Sequence, residues 1–196
     1  MSMNIITRLN GKDLIFPVRD LMLNKERVIS IDEPVSTPLA SEFVLTIKSL
    51  ALKSKDRITL IINSPGGSVS DGNAMIDVIE ECKESGIEVC TVATGLVASM
   101  ASILLASGTK GSRYATRHAK VLIHQPVIGF SGQVTDAEIA YTLGKQAKAD
   151  LIEYLAETTN TSAKKIAKDI ERDYIMGADE ALEYGIVDKI GYPEDL

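Results

Sequence analysis

The chain has 196 residues, 45% hydrophobic and 24% charged, which predicts one folded domain with a substantial core rather than a disordered protein. Its net charge of −6 and its lack of tryptophan argue against broad binding of nucleic acids or anionic membranes. The near-apolar run 96–106 is too short to span a membrane, the N terminus shows no signal-peptide pattern, and Cys82 and Cys90 have no metal-site spacing. We therefore expect a cytoplasmic protein without a metal, a membrane span or a nucleic-acid partner.

The predicted elements alternate between strands and helices. Residues 1–25 show neither the helical nor the strand periodicity of apolar residues, and a turn is predicted at 9–13. Beyond them the pattern predicts strands at 27–31, 57–63, 87–94 and 120–126, and helices at 36–54, 71–85, 99–108, 135–158 and 162–172, followed by a short helix, a stop at Gly185 and a last strand. This alternation favours parallel βαβ units in an α/β fold.

Neither G-x-G-x-x-G at a helix start nor G-x-x-x-x-G-K-[ST] occurs, so we expect the chain itself to bind no ATP.

Ser99 is a candidate nucleophile within the stretch GLVASMAS, residues 95–102. It follows a predicted strand and a short loop, and it begins a predicted helix. This placement exposes a side chain and leaves the next backbone amide, that of Met100, available to an oxyanion. A helix of small residues that packs closely against its neighbours would explain the same residues equally well.

His124 is the candidate general base, because it ends the strand KVLI just before Gln125 and Pro126. A core or edge histidine with no catalytic role is the alternative. The turn SPGG at 64–67 follows a buried strand and could supply a second oxyanion donor, or it could be a plain strand-to-helix turn. His118 is predicted to be a solvated loop residue.

A serine hydrolase also needs an acid that orients its histidine. The segment 169–179 holds several candidates, namely Asp169, Glu171, Asp173 and Asp179. Spacing does not choose among them, and a solvated charged face would look the same.

Taken together, several stretches resemble the proteolytic subunit of the Clp protease family, in the order in which that family has them. The matching stretches are 62–72 (INSPGGSVSDG), 98–102 (ASMAS), 120–126 (KVLIHQP), 132–139 (GQVTDAEI) and 170–190. The resemblance implies an α/β fold, a crotonase-type spiral of ββα units with a protruding strand–helix handle. Residues 1–196 would form a single peptidase domain, with a pore segment at 1–25 and the handle at about 125–158.

The resemblance also assigns roles to the candidate residues. It implies a triad of Ser99 as nucleophile, His124 as general base and Asp173 as acid. The oxyanion would be bound by the backbone amides of Gly67 and Met100. Two segments would bracket an extended peptide through the substrate-binding residues Gly66, Ser68, Val69, Gln125, Pro126 and Val127. Glu171 and Arg172 match positions that link two rings by ion pairing.

The implied function is that of a serine endopeptidase which cuts unfolded proteins into short peptides inside a closed chamber. The chamber would be a homo-oligomer of two stacked rings of seven subunits, with the handle stripe Ile139, Leu143 and Leu151 buried between the rings. ATP would be used by a separate AAA+ Clp unfoldase, so no cofactor is expected here. The strand before NSPGG usually carries tyrosines that form the unfoldase-docking pocket, whereas this chain has Thr59 and Ile61.

Those two departures leave a second interpretation open, in which the chain is a divergent copy that is inactive alone and works in mixed rings with a second Clp proteolytic subunit. A crotonase-type acyl-CoA enzyme is a further alternative, since it shares the spiral fold but would not need Ser99. The signal-peptide-peptidase branch of the fold uses a lysine base and a membrane association. The stretch LIHQP and the lack of a membrane segment argue against it. A catalytically silent scaffold subunit is the non-enzymatic alternative.

Overall fold

The computed structural model describes the backbone of residues 4–9 and 12–194, and the side chains of residues 17–20 and 22–194. The strands are β1 (Asn4–Leu9), β2 (Lys12–Pro17), β3 (Val28–Ile31), β4 (Ile58–Ser64), β5 (Val89–Ala98), β6 (Arg113–Ala115), β7 (Lys120–Ile123), β8 (Tyr174–Met176) and β9 (Lys189–Ile190). The helices are α1 (Val18–Glu26), α2 (Thr37–Lys53), α3 (Val69–Glu84), α4 (Met100–Ala106), α5 (Val134–Thr158), α6 (Ala163–Asp169) and α7 (Ala178–Tyr184).

The seven strands β3 to β9 form one sheet, and β1 and β2 form a separate antiparallel hairpin. The main path of the sheet runs β3-β4-β5-β6-β9, and every pairing along it is parallel. Strand β7 branches from β5 in parallel, and β8 pairs antiparallel with β7. The predicted α/β fold with parallel strands is therefore confirmed.

Strand β5 is the centre of the sheet, and it changes its partner along its length. On one side it pairs with β4. On the other side Thr91–Ala93 pair with β6, whereas Leu96–Ala98 pair with β7. Between these two segments lies Gly95, whose φ of +56° is a left-handed value that other residues seldom adopt. The change of partner places the end of β7 beside the end of β5.

The core lies between this sheet and the helices that cover it. Phe43, Ile47 and Leu50 form the buried face of α2, as the four-residue spacing predicts, and Met75 and Ile79 do the same for α3. All seven residues of α4 are buried, which is why this short helix has no polar face. The start of α4 is thereby held firmly against the sheet.

Helix α5 is different, because of its 25 residues Leu155 alone is buried. Ile139 and Leu143, from the predicted apolar stripe, are 55% and 66% exposed. The helix begins with a capping box between Gln133 and Asp136, which stabilises its free N-terminal end. It therefore projects from the sheet as the predicted handle helix does, with part of its apolar stripe uncovered in the single chain.

The strand predicted for the handle is absent from the described chain. Residues 124–133 form no strand and make no ladder pairing, and Val127 is 84% exposed. A strand needs a ladder of hydrogen bonds to a neighbour, and among the described residues this segment makes one backbone bond of that kind, from the Gln125 amide to the Ile170 carbonyl. The expectation of a strand–helix handle is thus corrected to a handle of one helix preceded by an irregular segment.

Other corrections concern element bounds. The short loop predicted between residues 94 and 99 does not exist, since β5 continues to Ala98. The sequence pattern missed β1, β2 and α1 within 1–25, and it missed the short strands β6 and β8. Residues 10 and 11 of the predicted turn lie outside the described residues, and the pore role of 1–25 stays a prediction. Among the helices of the described ranges, none is long and apolar enough to cross a membrane.

Candidate active site

Ser99 lies at a sharp corner between β5 and α4. Its backbone has φ +55° and ψ −126°, and it is one of two non-glycine residues at positive φ among those described. A serine held in this sparsely populated region is typical of a nucleophile elbow, where strain keeps the hydroxyl pointing out of the turn. The Ser99 amide donates to the carbonyl of Leu122 in β7 at 2.9 Å, so the corner is fixed to the neighbouring strand.

Ser102, the other serine of this stretch, is unsuited to attack a substrate. It is fully buried, and its hydroxyl donates to the carbonyls of Leu122 at 2.5 Å and Val97 at 3.2 Å. Ser99 is half-buried, and within the described residues its hydroxyl has no hydrogen-bond partner. The structure therefore distinguishes the two serines, which the sequence pattern alone did not.

The glycine turn after β4 lies directly against this corner. Gly66 has φ +85°, and a Cβ placed on it would lie 2.7 Å from the Ser99 Cβ and 2.8 Å from the Met100 amide nitrogen. Gly67 makes an isolated parallel bridge to Val35, in which the Val35 amide donates to the Gly66 carbonyl. The turn is thus hydrogen-bonded to Val35, and Gly66 packs directly against Ser99.

The amides of Gly67 and Met100 are both available as donors. Met100 is the first residue of α4, and the first amides of a helix have no partner within it. The bridge to Val35 uses the Gly66 carbonyl and the Ser68 amide, and it leaves the Gly67 amide unused. Two free amides beside one serine are what an oxyanion hole requires.

His124 lines the same cavity as Ser99, and Asp173 lies beside His124. His124 directly follows β7, whose Leu122 pairs with Ala98, and its side chain is 22% exposed. Its Nδ1 lies 3.7 Å from Oδ1 of Asp173, which is within ion-pair range but longer than a hydrogen bond. The Asp173 side chain is 69% exposed. Ser99 and His124 thus line one cavity, and His124 lies beside an acid that is loosely held and open to water.

Sequence reasoning missed Lys148, which ties the segments that carry His124 and Asp173 to α5. Its Nζ donates to Oε1 of Gln125 at 3.0 Å and to Oε1 of Glu171 at 2.5 Å. The Gln125 amide in turn donates to the Ile170 carbonyl at 2.8 Å. Hydrogen bonding to Lys148 lowers the pKa of Glu171. No local spacing could reveal this contact, because Lys148 is 23 residues away from both partners.

The residues predicted to hold a peptide do not all offer free main-chain groups. The amides of Ser68 and Gln125 are already bonded to Val35 and Ile170. Gly66 packs against Ser99, and Val69 and Pro126 line the cavity that adjoins Ser99. Val127 is exposed and lies with Gln125 beside His124 and Asp173. The predicted ring contacts Glu171 and Arg172 are also exposed, with Glu171 paired to Lys148 and the Arg172 guanidinium donating to the Glu171 carbonyl.

His118, predicted to be a solvated loop residue, is exposed in a turn and does not line the cavity that adjoins Ser99. In the described ranges, no group of three or more His, Cys, Asp or Glu side chains is placed to hold a metal ion.

We expect Gly66→Ala to lower hydrolysis of a fluorogenic peptide, the activity that the resemblance implies, by on the order of 100-fold while the protein still folds. The added methyl group would displace Ser99 or the Met100 amide, and a shift of about 1 Å in a reacting group costs on the order of 100-fold in rate. The control is Gly86→Ala, which introduces similar strain at φ +80° but meets nothing within 4 Å. Equal loss in both variants would contradict the account.

We expect Lys148→Met to lower kcat/KM by about 10-fold or more, because it frees the segments that position His124 and Asp173. Lys148→Arg, which retains the charge and the donors, should restore most of the rate. Lys48→Met, which breaks the comparable helix-to-helix pair Lys48–Glu81, should leave the rate unchanged. If the Met and Arg variants of Lys148 are equally active, then Lys148 does not position the site.

Comparison with known protein families agrees with this arrangement. The family model described as Clp protease matches residues 17–194 of the chain. That range includes the Ser99 corner, the glycine turn, His124 and Asp173. The chain therefore belongs to the Clp protease family and is a Clp-type peptidase.

Proposed function

We propose that this chain is a serine endopeptidase that forms the proteolytic chamber of an ATP-dependent Clp protease. One observation carries the proposal: Ser99, at a strained positive-φ corner against Gly66, lines the same cavity as His124, and His124 lies beside Asp173. Neither the amides nor the strain would be needed for a small-residue packing helix.

The chemistry follows from these positions. Ser99 Oγ attacks the carbonyl carbon of the peptide bond while His124 takes its proton, and the amides of Gly67 and Met100 stabilise the oxyanion that forms. His124 then gives this proton to the leaving amine, which breaks the C–N bond and leaves an acyl-enzyme. Water deprotonated by His124 attacks the acyl carbon and releases the new carboxylate and Ser99. Asp173 holds the imidazole in the productive orientation.

Assembly is part of the proposal, because the single chain leaves two features incomplete. The His124–Asp173 distance of 3.7 Å and the exposure of Asp173 correspond to a triad that is not yet closed. Ile139, Leu143 and Val127 are exposed apolar side chains on and before the handle helix. Packing between two rings of seven subunits would bury these apolar side chains and would cover the exposed Asp173. We expect the rings to be cytoplasmic and to receive unfolded substrates from a separate AAA+ unfoldase.

The positions of Thr59 and Ile61 bear on which partner could bind an unfoldase. Thr59 is buried in β4 and Ile61 is half-buried, so neither supplies an exposed aromatic anchor for an unfoldase. Mixed rings with a second Clp proteolytic subunit would supply such anchors from the other subunit.

We expect Ser99→Ala to lower hydrolysis of a fluorogenic peptide and of an unfolded protein by at least about 1,000-fold. Ser102→Ala, which loses a buried hydrogen bond, should lower stability but keep the chemistry. Both variants are measured alone, with a second Clp subunit and with an unfoldase plus ATP, and sedimentation reports the assembly. Retained hydrolysis in an assembled Ser99→Ala protein would contradict the proposal and favour a chemistry that does not use this serine.

A further inference from the structure

The distance between His124 and Asp173 depends on where β8 begins. Strands β7 and β8 are antiparallel, and the last pair of their ladder joins Ile123 to Tyr174. The same register places His124 opposite Asp173, one pair beyond that ladder and on the same face of the sheet. Within the described residues the Asp173 carboxylate makes no hydrogen bond of its own, and its ionic contact is with His124. The position of the acid is therefore set by its backbone, which continues directly into Tyr174.

Tyr174 is held by helix α7. Its hydroxyl donates to Oε1 of Glu180 at 2.7 Å, and the centre of its ring lies 5.9 Å from the centre of the Tyr184 ring. Tyr184 is 4% exposed and belongs to the core. The hydrogen bond to Glu180 raises the pKa of Tyr174 to about 12, so this hydroxyl remains a protonated donor at neutral pH. The first residue of β8 is thus attached to the core through α7.

Lys165, in the first turn of α6, joins the two tyrosines. Its Nζ lies 5.4 Å from the centre of the Tyr174 ring and 4.6 Å from that of Tyr184. A cation at these distances is attracted to both rings. Lys165 also pairs with Asp169 at 2.5 Å, and Asp169 accepts from the Tyr184 hydroxyl at 3.1 Å. We name these four residues, together with Glu180, the tyrosine cluster.

The segment that carries Asp173 is short and is attached at both ends. Before it, Glu171 pairs with Lys148 of the handle helix. After it, Tyr174 is held by the tyrosine cluster. Between these two attachments the Asp173 side chain is 69% exposed, so its carboxylate is surrounded by water rather than by packed side chains. A change in either attachment would therefore move the carboxylate relative to His124.

We propose that Lys165 and Tyr174 are positioning residues for the triad, because they hold the start of β8 where Asp173 stays within reach of His124. This inference rests on the proposed function, since it gives the two residues a part in the same active site. Neither residue lines the cavity beside Ser99, so both act through the backbone of Asp173 and not on the substrate.

The test measures kcat and KM for a fluorogenic peptide on the assembled protein. Lys165→Met keeps a long stem without the charge. Since the Lys165 side chain is 52% exposed, we expect kcat to fall about threefold to tenfold with KM unchanged. Lys165→Arg, which can stack on aromatic rings and pair with Asp169, should restore most of the rate. Tyr174→Phe, which keeps the ring and loses the bond to Glu180, should lower kcat about threefold.

The matched control is Lys189→Met. Lys189 lies over the ring of Tyr114 at 5.3 Å, and these residues belong to the neighbouring strands β9 and β6, which do not pair with β8. Removal of this lysine should leave kcat unchanged.

A double-mutant comparison shows whether the effect passes through the acid. Lys165→Met should slow fluorophosphonate labelling of Ser99 in otherwise wild-type protein. In an Asp173→Ala background the same substitution should leave the labelling rate unchanged, because the group that Lys165 positions is absent.

An unchanged kcat in both Lys165→Met and Tyr174→Phe, with a lowered melting temperature, would overturn the inference, because the cluster would then stabilise the fold alone. An equal loss of labelling rate with and without Asp173 would also overturn it. Both results leave the proposed function intact, since Ser99 is still labelled in the wild type. A wild-type protein that is not labelled at Ser99 would instead contradict the proposed function, and the inference with it.

Discussion

The site depends on the change of partner along β5. Thr91–Ala93 pair with β6, whereas Leu96–Ala98 pair with β7. The C-terminal end of β5 therefore lies beside β7 and not beside β6. Gly95, at a left-handed φ, lies at the point of change. If β5 had kept β6 as its partner throughout, β7 would not end next to Ser99, and His124 would lie elsewhere.

The same constraint explains why the turn of Ser99 is strained and why strain is tolerated there. The residue is fixed by its amide bond to Leu122, by the fully buried α4 that follows and by Gly66 packed against it. These contacts over-determine a backbone conformation that costs on the order of 1–3 kcal/mol in isolation. The acid is held in a different way, on an exposed segment connected through Lys148, so it is the part of the site that assembly can adjust.

Much of the fold was predictable because its signals are local. Phe43, Ile47 and Leu50 repeat with the helical period, and the β-branched run of β4 ends in a glycine turn, so α2 and β4 were placed within a few residues. The predicted loop after residue 94 was wrong because Gly95 reads as a strand end, whereas here it allows a bend within one strand. The handle strand was also wrong, since a strand depends on a partner that the described chain does not supply.

The candidate site was also predictable from the sequence only in part. Ser99, His124 and the glycine turn each had a structural explanation that was as good as the catalytic one or better until the family resemblance joined them, and Asp173 could not be separated from Asp169 or Asp179 by spacing. The sequence pattern could not predict the role of Lys148, because helix α5 meets the Gln125 and Glu171 segments only in the folded structure. Long-range contacts of this kind leave no periodic signal.

The measurement that tests the account most directly is the site and rate of fluorophosphonate labelling, read by mass spectrometry of digested peptides, on assembled wild-type protein and on His124→Ala. The account predicts a single adduct on Ser99, none on Ser102, and much slower labelling without His124. Labelling on another residue, or an equal rate in His124→Ala, would contradict the claim that the exchange of partners along β5 brings an activated serine and its base together.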